Sequence, residues 1–161
     1  VTTFRTARLE ARPAGPGDVE ALQALLESAP GYHRLTEGAP AGPTAASDLL
    51  ADAEVDPDRL VLLLWPPGGA TAAGVVDLQL HWPEPGAAHV RLLLLRDSLR
   101  GRGLGREIAA GMEEALRQDG FRALRLSVTV ENGDARAFWE RVGFAPVERL
   151  RAGDTLHEKL L

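Results

Sequence analysis

LRGRGLGREIAAGMEEALRQDG, residues 99–120, joins a glycine-rich turn to an amphipathic helix. Leu104, Ile108, Met112, Ala115 and Leu116 recur at helical spacing and mark one apolar face, and Gly120 supplies the stop. The run His89 to Leu95 before it, continuous in leucine toward its end, reads as a strand buried on both faces. Phe121 to Val130 after it alternates like a strand, with Leu124, Leu126, Val128 and Val130 on one side. A short helix is expected from Asp134 to Arg141, ended by Gly143. Two last strands fit Ala145 to Arg151 and Thr155 to Leu160.

Toward the N-terminus, Arg8 to Pro13 suggests a first strand, and Pro16-Gly17-Asp18 leads into a helix from Val19 to Ser28 with Asp18 as its N-cap. Leu22, Leu25 and Leu26 form that helix's buried stripe. The glycines and prolines between Ala29 and Pro43 predict an irregular loop, followed by a second helix from Thr44 to Ala53. Leu60 to Trp65 and Ala73 to Leu80 read as a hairpin turned by Pro66-Pro67-Gly68-Gly69. The order is β-α-α-β-β-β-α-β-α-β-β. It predicts a single α/β domain over residues 1–161, with a central mixed sheet of about seven strands and helices on both faces.

Hydrophobic residues make up 45% and charged residues 25% of the 161 positions, values that suit one globular core. The absence of cysteine excludes thiol catalysis, thiolate metal sites and disulfides, and no metal is called for. The start VTTFRTARLE has no apolar leader, and no apolar run is long enough to cross a bilayer, so a cytoplasmic location with no membrane partner is the expectation. A net charge of -5 argues against nucleic acid. Arg96, Arg100, Arg102 and Arg106 nevertheless crowd one short segment, which suggests a small anionic ligand.

Glycine lets a backbone approach a ligand closely, and the first amides of a helix point at one spot together with the positive end of its dipole. A phosphate is the expected guest of Arg100-Gly101-Arg102-Gly103-Leu104-Gly105. The dinucleotide fingerprint G-x-G-x-x-G fails at Arg106, and the NTPase pattern G-x-x-x-x-G-K-[ST] is absent. The glycines also fit a simple role in tight strand-helix packing; the neighbouring arginines favour the anion.

Arg100, Gly103 and Gly105, as R-x-x-G-x-G after a buried strand, resemble the acyl-CoA loop of the GNAT superfamily of N-acyltransferases. Asn132, Ala135, Trp139, Gly143 and Phe144 reproduce that family's N-x-x-A-x-x-x-[aromatic]-x-x-x-G-F pattern. Leu156 to Leu160 is similar to a family closing strand. The resemblance implies acetyl-CoA as cofactor and transfer of its acyl group to an amine of a small molecule or peptide. It also implies that the strand before the loop splays from the next parallel strand, so that Leu94, Leu95 and Arg96 offer backbone groups to pantetheine. Amides of Arg100, Gly101, Arg102, Gly103, Leu104, Gly105 and Arg106 would hold the pyrophosphate, and Asn132 the pantetheine arm. Asn132 serves equally as a helix N-cap.

Trp139 stands where many relatives carry a tyrosine that protonates the departing thiolate, and an indole N–H has no useful acidity. Leu92 stands where relatives often place a glutamate base. Asp77 and His89 are the nearest polar substitutes in the strands, and Tyr32, the only tyrosine, lies in the segment expected to border the acceptor. Phe138 reads as core, Ser127 and Thr129 as strand residues, and Glu131 as exposed. An enzyme acting by direct attack is the leading reading. The alternative is an acyl-CoA-binding sensor or partner domain whose catalysis has decayed. A homodimer is left open.

Overall fold

The computed structural model describes residues 2–150 and 152–161. Eight strands form one sheet: β1 (Phe4–Arg5), β2 (Glu10–Pro13), β3 (Arg59–Trp65), β4 (Gly74–Leu80), β5 (Ala87–Leu95), β6 (Ala123–Val128), β7 (Ala145–Arg149) and β8 (Thr155–Leu160). Their spatial order is β1-β2-β3-β4-β5-β6-β8-β7. Every neighbouring pair is antiparallel except β5 and β6, which run parallel. The helices are α1 (Val19–Glu27), α2 (Pro30–Glu37), α3 (Ala45–Val55), α4 (Leu104–Gln118) and α5 (Gly133–Arg141).

Strand alternation assigns each face its own core. Leu62 and Leu64 of β3, Val76 and Leu78 of β4, and Leu124, Leu126 and Val128 of β6 pack under α4 and α5 with Ile108, Met112 and Trp139. Val61 and Leu63, Val75 and Leu94 point the other way, against Leu22, Leu25 and Leu26 of α1 and Ala46 of α3. The leucine run of β5 is divided between the faces: Leu93 and Leu95 pack toward α4, Leu92 and Leu94 toward α1.

Three expectations change. First, β1 is an additional strand: Phe4 is buried and packs so closely on α4 that a Cβ at Gly111 would lie 2.7 Å from its ring. Two residues are too few for alternation to register. Second, the segment from Ala29 to Pro43 contains α2; its proline and glycine are end signals, with Pro30 in the first turn and Gly38 closing the helix at φ 76°. Third, Asp18 does not cap α1 with its side chain. It belongs to a 3-10 turn, Pro16–Asp18, and its carboxylate accepts the Gly15 N–H at 3.0 Å. Arg151, the expected end of β7, lies outside the described residues, and Val130 lies beyond the end of β6, half exposed.

Lys159, the sole lysine, is drawn inward from β8. Its Nζ donates to Glu113 Oε2 and to the Val142 carbonyl, both at 2.7 Å, and its stem packs over Gly143 at φ 101°.

Where β4 crosses β5, a Cβ at Gly74 would lie 2.6 Å from the Leu94 carbonyl and 3.0 Å from Leu64 Cδ1. Backbone cannot yield as a side chain can. Gly74→Ala is therefore expected to cost about 1–3 kcal/mol, seen as a fall of roughly 2–10 °C in the thermal midpoint for a chain of this length.

Candidate active site

β5 and β6 pair over four positions, from Ala87 with Ala123 to Val90 with Leu126, and then part. The parting coincides with a β-bulge. Asp77 of β4 lies opposite Leu92 and Leu78 opposite Val90, so Arg91 is an extra residue in β5. β5 continues to Leu95 while β6 ends at Val128. A cleft of about 720 Å³ opens between them, walled by Val90 to Leu95 on one side and Leu126 to Thr129 on the other.

The backbone of β5 has one side to spare there. Arg96 donates its N–H to the Ala73 carbonyl at 2.9 Å, and the Leu94 carbonyl faces Gly74, so alternate residues of this stretch spend their peptide groups on β4. By the same alternation Leu93 and Leu95 turn theirs toward the cleft. Leu95 thus lies where pantetheine-binding was expected. Leu94 lines the cleft but gives its carbonyl to the β4 side, and Arg96 lies outside the cleft lining, its Nε bonded to the Ala72 carbonyl at 3.2 Å. Leu93 is the residue that sequence reading missed. Knowing which peptide groups face β4 would have revealed it.

At the far end of β5 a 3-10 turn, Asp97–Leu99, leads into the glycine turn. Gly101 and Gly103 take left-handed conformations, φ 73° and 78°, which only glycine adopts without strain. A Cβ at Gly101 would meet nothing within 4 Å, whereas one at Gly105 would lie 3.1 Å from the Phe138 ring. The first is open to a ligand; the second lets α4 close on α5. Arg100, Gly101, Gly103, Leu104, Gly105 and Arg106 all line the cleft, with the Leu104 side chain buried in the core. Arg102 does not line it; its carbonyl accepts from Arg8 Nη1 at 3.0 Å. Arg8 also holds Glu107 through Nε at 2.8 Å. The Thr6 hydroxyl, and after it Arg8, keep the Glu107 carboxyl below the usual carboxylate range. Arg8 lies 94 residues from the carbonyl that it grips, and nothing local in the sequence announces it.

Arg91, Arg100, Arg106 and Arg141 line the cleft against a single acidic lining residue among the described residues, Asp134. The free amides that open α4, the left-handed glycines and the charges of Arg100 and Arg106 beside them fit a diphosphate. The free edge of β5 fits an extended arm carrying amides. The site therefore suits acyl-CoA on its own geometry.

Asn132 caps α5, its Oδ1 accepting the Ala135 N–H at 3.1 Å, and lines the cleft as well. Trp139 lines it while packed edge-on between Phe138 and Phe144. Phe138 lines it too, and so do Ser127 and Thr129; the Thr129 hydroxyl is buried with no partner among the described residues. Gly31, Tyr32 and Leu35 of α2 form the wall on the α1 side.

A model of the Acetyltransferase (GNAT) family matches residues 20–144. The chain belongs to this family. Among solved structures, this GNAT chain is similar to an acetyltransferase from Thermus thermophilus, with 30% identity, a TM-score of 0.87, and 98% and 100% of the two chains covered. It shares its fold with the PaiA N-acetyltransferase of Thermoplasma acidophilum in complex with coenzyme A, at 18% identity, a TM-score of 0.73 and 95% and 99% coverage. The same holds for RimL, a ribosomal L7/L12 alpha-N-protein acetyltransferase in complex with coenzyme A, at 17% identity, a TM-score of 0.78 and 99% and 98% coverage. No curated protein matches in sequence. The chain is accordingly a member of the GNAT acetyltransferase family, whose acyl donor is acetyl-CoA.

Neither base candidate of this GNAT chain lines the cleft. Asp77 is buried in a two-point ion pair with Arg59, at 2.8 and 3.1 Å, and Arg91 Nε stands 3.6 Å away. That bond holds Arg59 above its ordinary value. His89 lies against Trp82, ring centroids 5.0 Å apart, with Nδ1 buried and without a partner among the described residues. Burial, and after it the charges of Arg91 and Arg125, lowers His89 from 6.5 to about 4. An imidazole of that strength is neutral at pH 7 but is a poor acceptor for an ammonium proton.

Asp77→Ala takes the two-point partner from the Arg59 guanidinium, leaving Asp52 at 3.4 Å, and should cost up to about 3–5 kcal/mol. A base role would instead lower turnover by about 10²–10⁴-fold in a fold of unchanged stability. Chemical denaturation and steady-state rates measured on the same sample separate the two. For His89 the unfolded chain binds the proton more tightly than the folded one. Its contribution to stability is complete above pH 6.5, is lost as pH falls toward about 4, and changes no further below that. Replacement by Gln should flatten stability against pH within that window, read from denaturation midpoints at pH 4, 5, 6 and 7.

Proposed function

We propose that the chain is an N-acyltransferase that acetylates the amine of a small molecule or peptide by direct attack. The observation that carries this reading is the parting of β5 and β6 at Val90 above a left-handed glycine turn, which leaves one continuous cleft from the free strand edge to the opening of α4.

Acetyl-CoA, once bound, supplies an activated thioester. The chain's own groups hold and orient it. Amides at the start of α4, with Arg100 and Arg106, take the diphosphate, and the peptide groups of Leu93 and Leu95 fix the arm along β5. A backbone N–H on that edge polarises the thioester carbonyl. The neutral amine donates its lone pair to the carbonyl carbon, the N–C bond forms, and the C–S bond breaks with its electron pair leaving on sulfur. The ammonium proton passes to water, and the thiolate takes one back.

The proton balance restricts which amines react without help. At pH 7 an α-amine forfeits about 1 kcal/mol to become neutral, and a lysine-type amine about 4.6 kcal/mol. Transfer from a lysine-type ammonium to an imidazole of pKa about 4 runs uphill by about 6 units, some 8 kcal/mol. Thiolate departure without an acid costs only about 2 kcal/mol at that pH, so Trp139 in place of a proton donor does not block turnover. Positioning provides most of the acceleration.

Trp139 and Leu92, which carry no transferable proton, also favour a second reading, in which the domain binds acetyl-CoA without turning it over. A thiol-release assay over an amine panel separates the two: release with any amine removes the binding-only role. Gly103→Glu places a carboxylate and a strained side chain at the anion site. It should abolish acetyl-CoA binding in calorimetry while circular dichroism stays unchanged; retained affinity would overturn the assignment of the cleft.

A further inference from the structure

Arg91 is the residue that the bulge adds to β5, and its guanidinium makes no hydrogen bond among the described residues. Its nearest acidic neighbour is Asp77, 3.6 Å from Nε, and both oxygens of that carboxylate are already taken by Arg59. A half-exposed cation thus stands with its five N–H donors unused.

Two observations say what it faces. Arg91 lines the acyl-CoA cleft, and it also lines a second cavity of about 560 Å³ whose other walls are Asp56, Gln79, Trp82 and His89. It is the one residue common to the two linings among the described residues. Arg91 also lies on the α3 side of the sheet: its neighbour Asp77 is bonded to Arg59, and Arg59 reaches Asp52 of α3, whereas the glycine turn opens α4 on the other face. The glycine turn that fits the diphosphate lies beyond the far end of β5, so the anion that matches Arg91 is one carried by the acceptor.

We propose that Arg91 binds a carboxylate of the acceptor, so that the substrate is a free amino acid with its amine beside the thioester and its side chain in the second cavity. This rests on the acyltransferase reading above. The chemistry of the second cavity agrees. The Trp82 ring is half exposed and braced edge-on by His89, which is neutral at physiological pH, giving a flat apolar wall. Asp56 stands among the lining residues with Oδ2 accepting from Gln79 Nε2 at 3.0 Å. An α-carboxylate one carbon from the amine is held by the guanidinium while the nitrogen remains in the cleft, and the cavity beyond has room for a side chain. The transfer is the one written above, and CoA thiol and an N-acetyl amino acid are its products.

The test compares each acid with the same molecule lacking the carboxylate: L-phenylalanine with phenethylamine, L-leucine with isopentylamine, and L-arginine with agmatine, with L-phenylalaninamide as a neutral control. In the wild type, kcat/KM for at least one acid should exceed that for its amine, and for the amide where there is one, by tenfold or more. In Arg91→Gln that ratio should fall to about one, and Arg91→Lys should restore part of it. Equal rates for acid and amine in all three pairs, or an Arg91→Gln variant that keeps the ratio, would overturn the proposal. Should no amine release thiol, the acyltransferase reading fails on its own. Calorimetry of the same pairs against CoA-saturated protein then decides the carboxylate site: tighter binding of an acid, lost in Arg91→Gln, upholds it, and equal binding removes it.

Discussion

Peptide groups without a partner strand are what the architecture turns on. A buried N–H or C=O left unpaired costs as much as a lost hydrogen bond, so strands normally stay zipped to their neighbours. Here β5 is paired with β4 from Ala88 to Leu95, apart from the bulged Arg91, but with β6 only as far as Val90. The bulge at Arg91 makes this possible. It changes the parity of β5, so that Leu93 and Leu95 take over the α4-facing role that Ala88 and Val90 held earlier in the strand. One side of an otherwise ordinary strand is thereby left for a guest. Such a guest has to be extended and to carry donors and acceptors of its own, which is the description of a chain of amides.

The opposite end of the cleft solves a different problem, holding negative charge on an acidic protein. The chain as a whole carries -5, yet Arg100 and Arg106 line the cleft where α4 opens. Local geometry outweighs global charge because the amides opening α4 and the guanidiniums beside them act on one spot at short range, while the remaining carboxylates act through solvent. Arg8 ties this end to the turn after β1 by gripping Arg102 and Glu107. The first strands of the sheet thus stiffen the loop, although they touch no part of the cleft themselves.

Much of this was legible in the residues. Leu104, Ile108, Met112 and Leu116 announced α4, the glycines announced the turn, and Asn132 to Phe144 announced α5 in its place. These are local patterns with fixed periods. What the chain concealed depends on register. Whether Leu93 or Leu94 turns its peptide group to the cleft depends on one extra residue at Arg91, which no periodicity reveals. Asp77 and His89 looked available because their strands were known and their partners were not. Asp77 has Arg59, eighteen residues away, and His89 has a desolvating wall that includes Trp82. In α2 the proline and glycine that suggest an irregular loop instead mark the two ends of a helix, so composition misled where position mattered.

The setting of Lys159 has a bearing on the protein's own exposure to its reactive donor. A thioester acylates any accessible neutral amine, and lysine side chains are the usual casualties in proteins that handle one. This sequence contains a single ε-amine, and it is clamped between a carboxylate and a peptide carbonyl beneath the sheet-facing side of α4. Both bonds are 2.7 Å long, and its stem is folded over Gly143, so the nitrogen is engaged within the fold. Lys159 is not among the residues that line the cleft, so the fold holds its only lysine side chain away from the bound thioester.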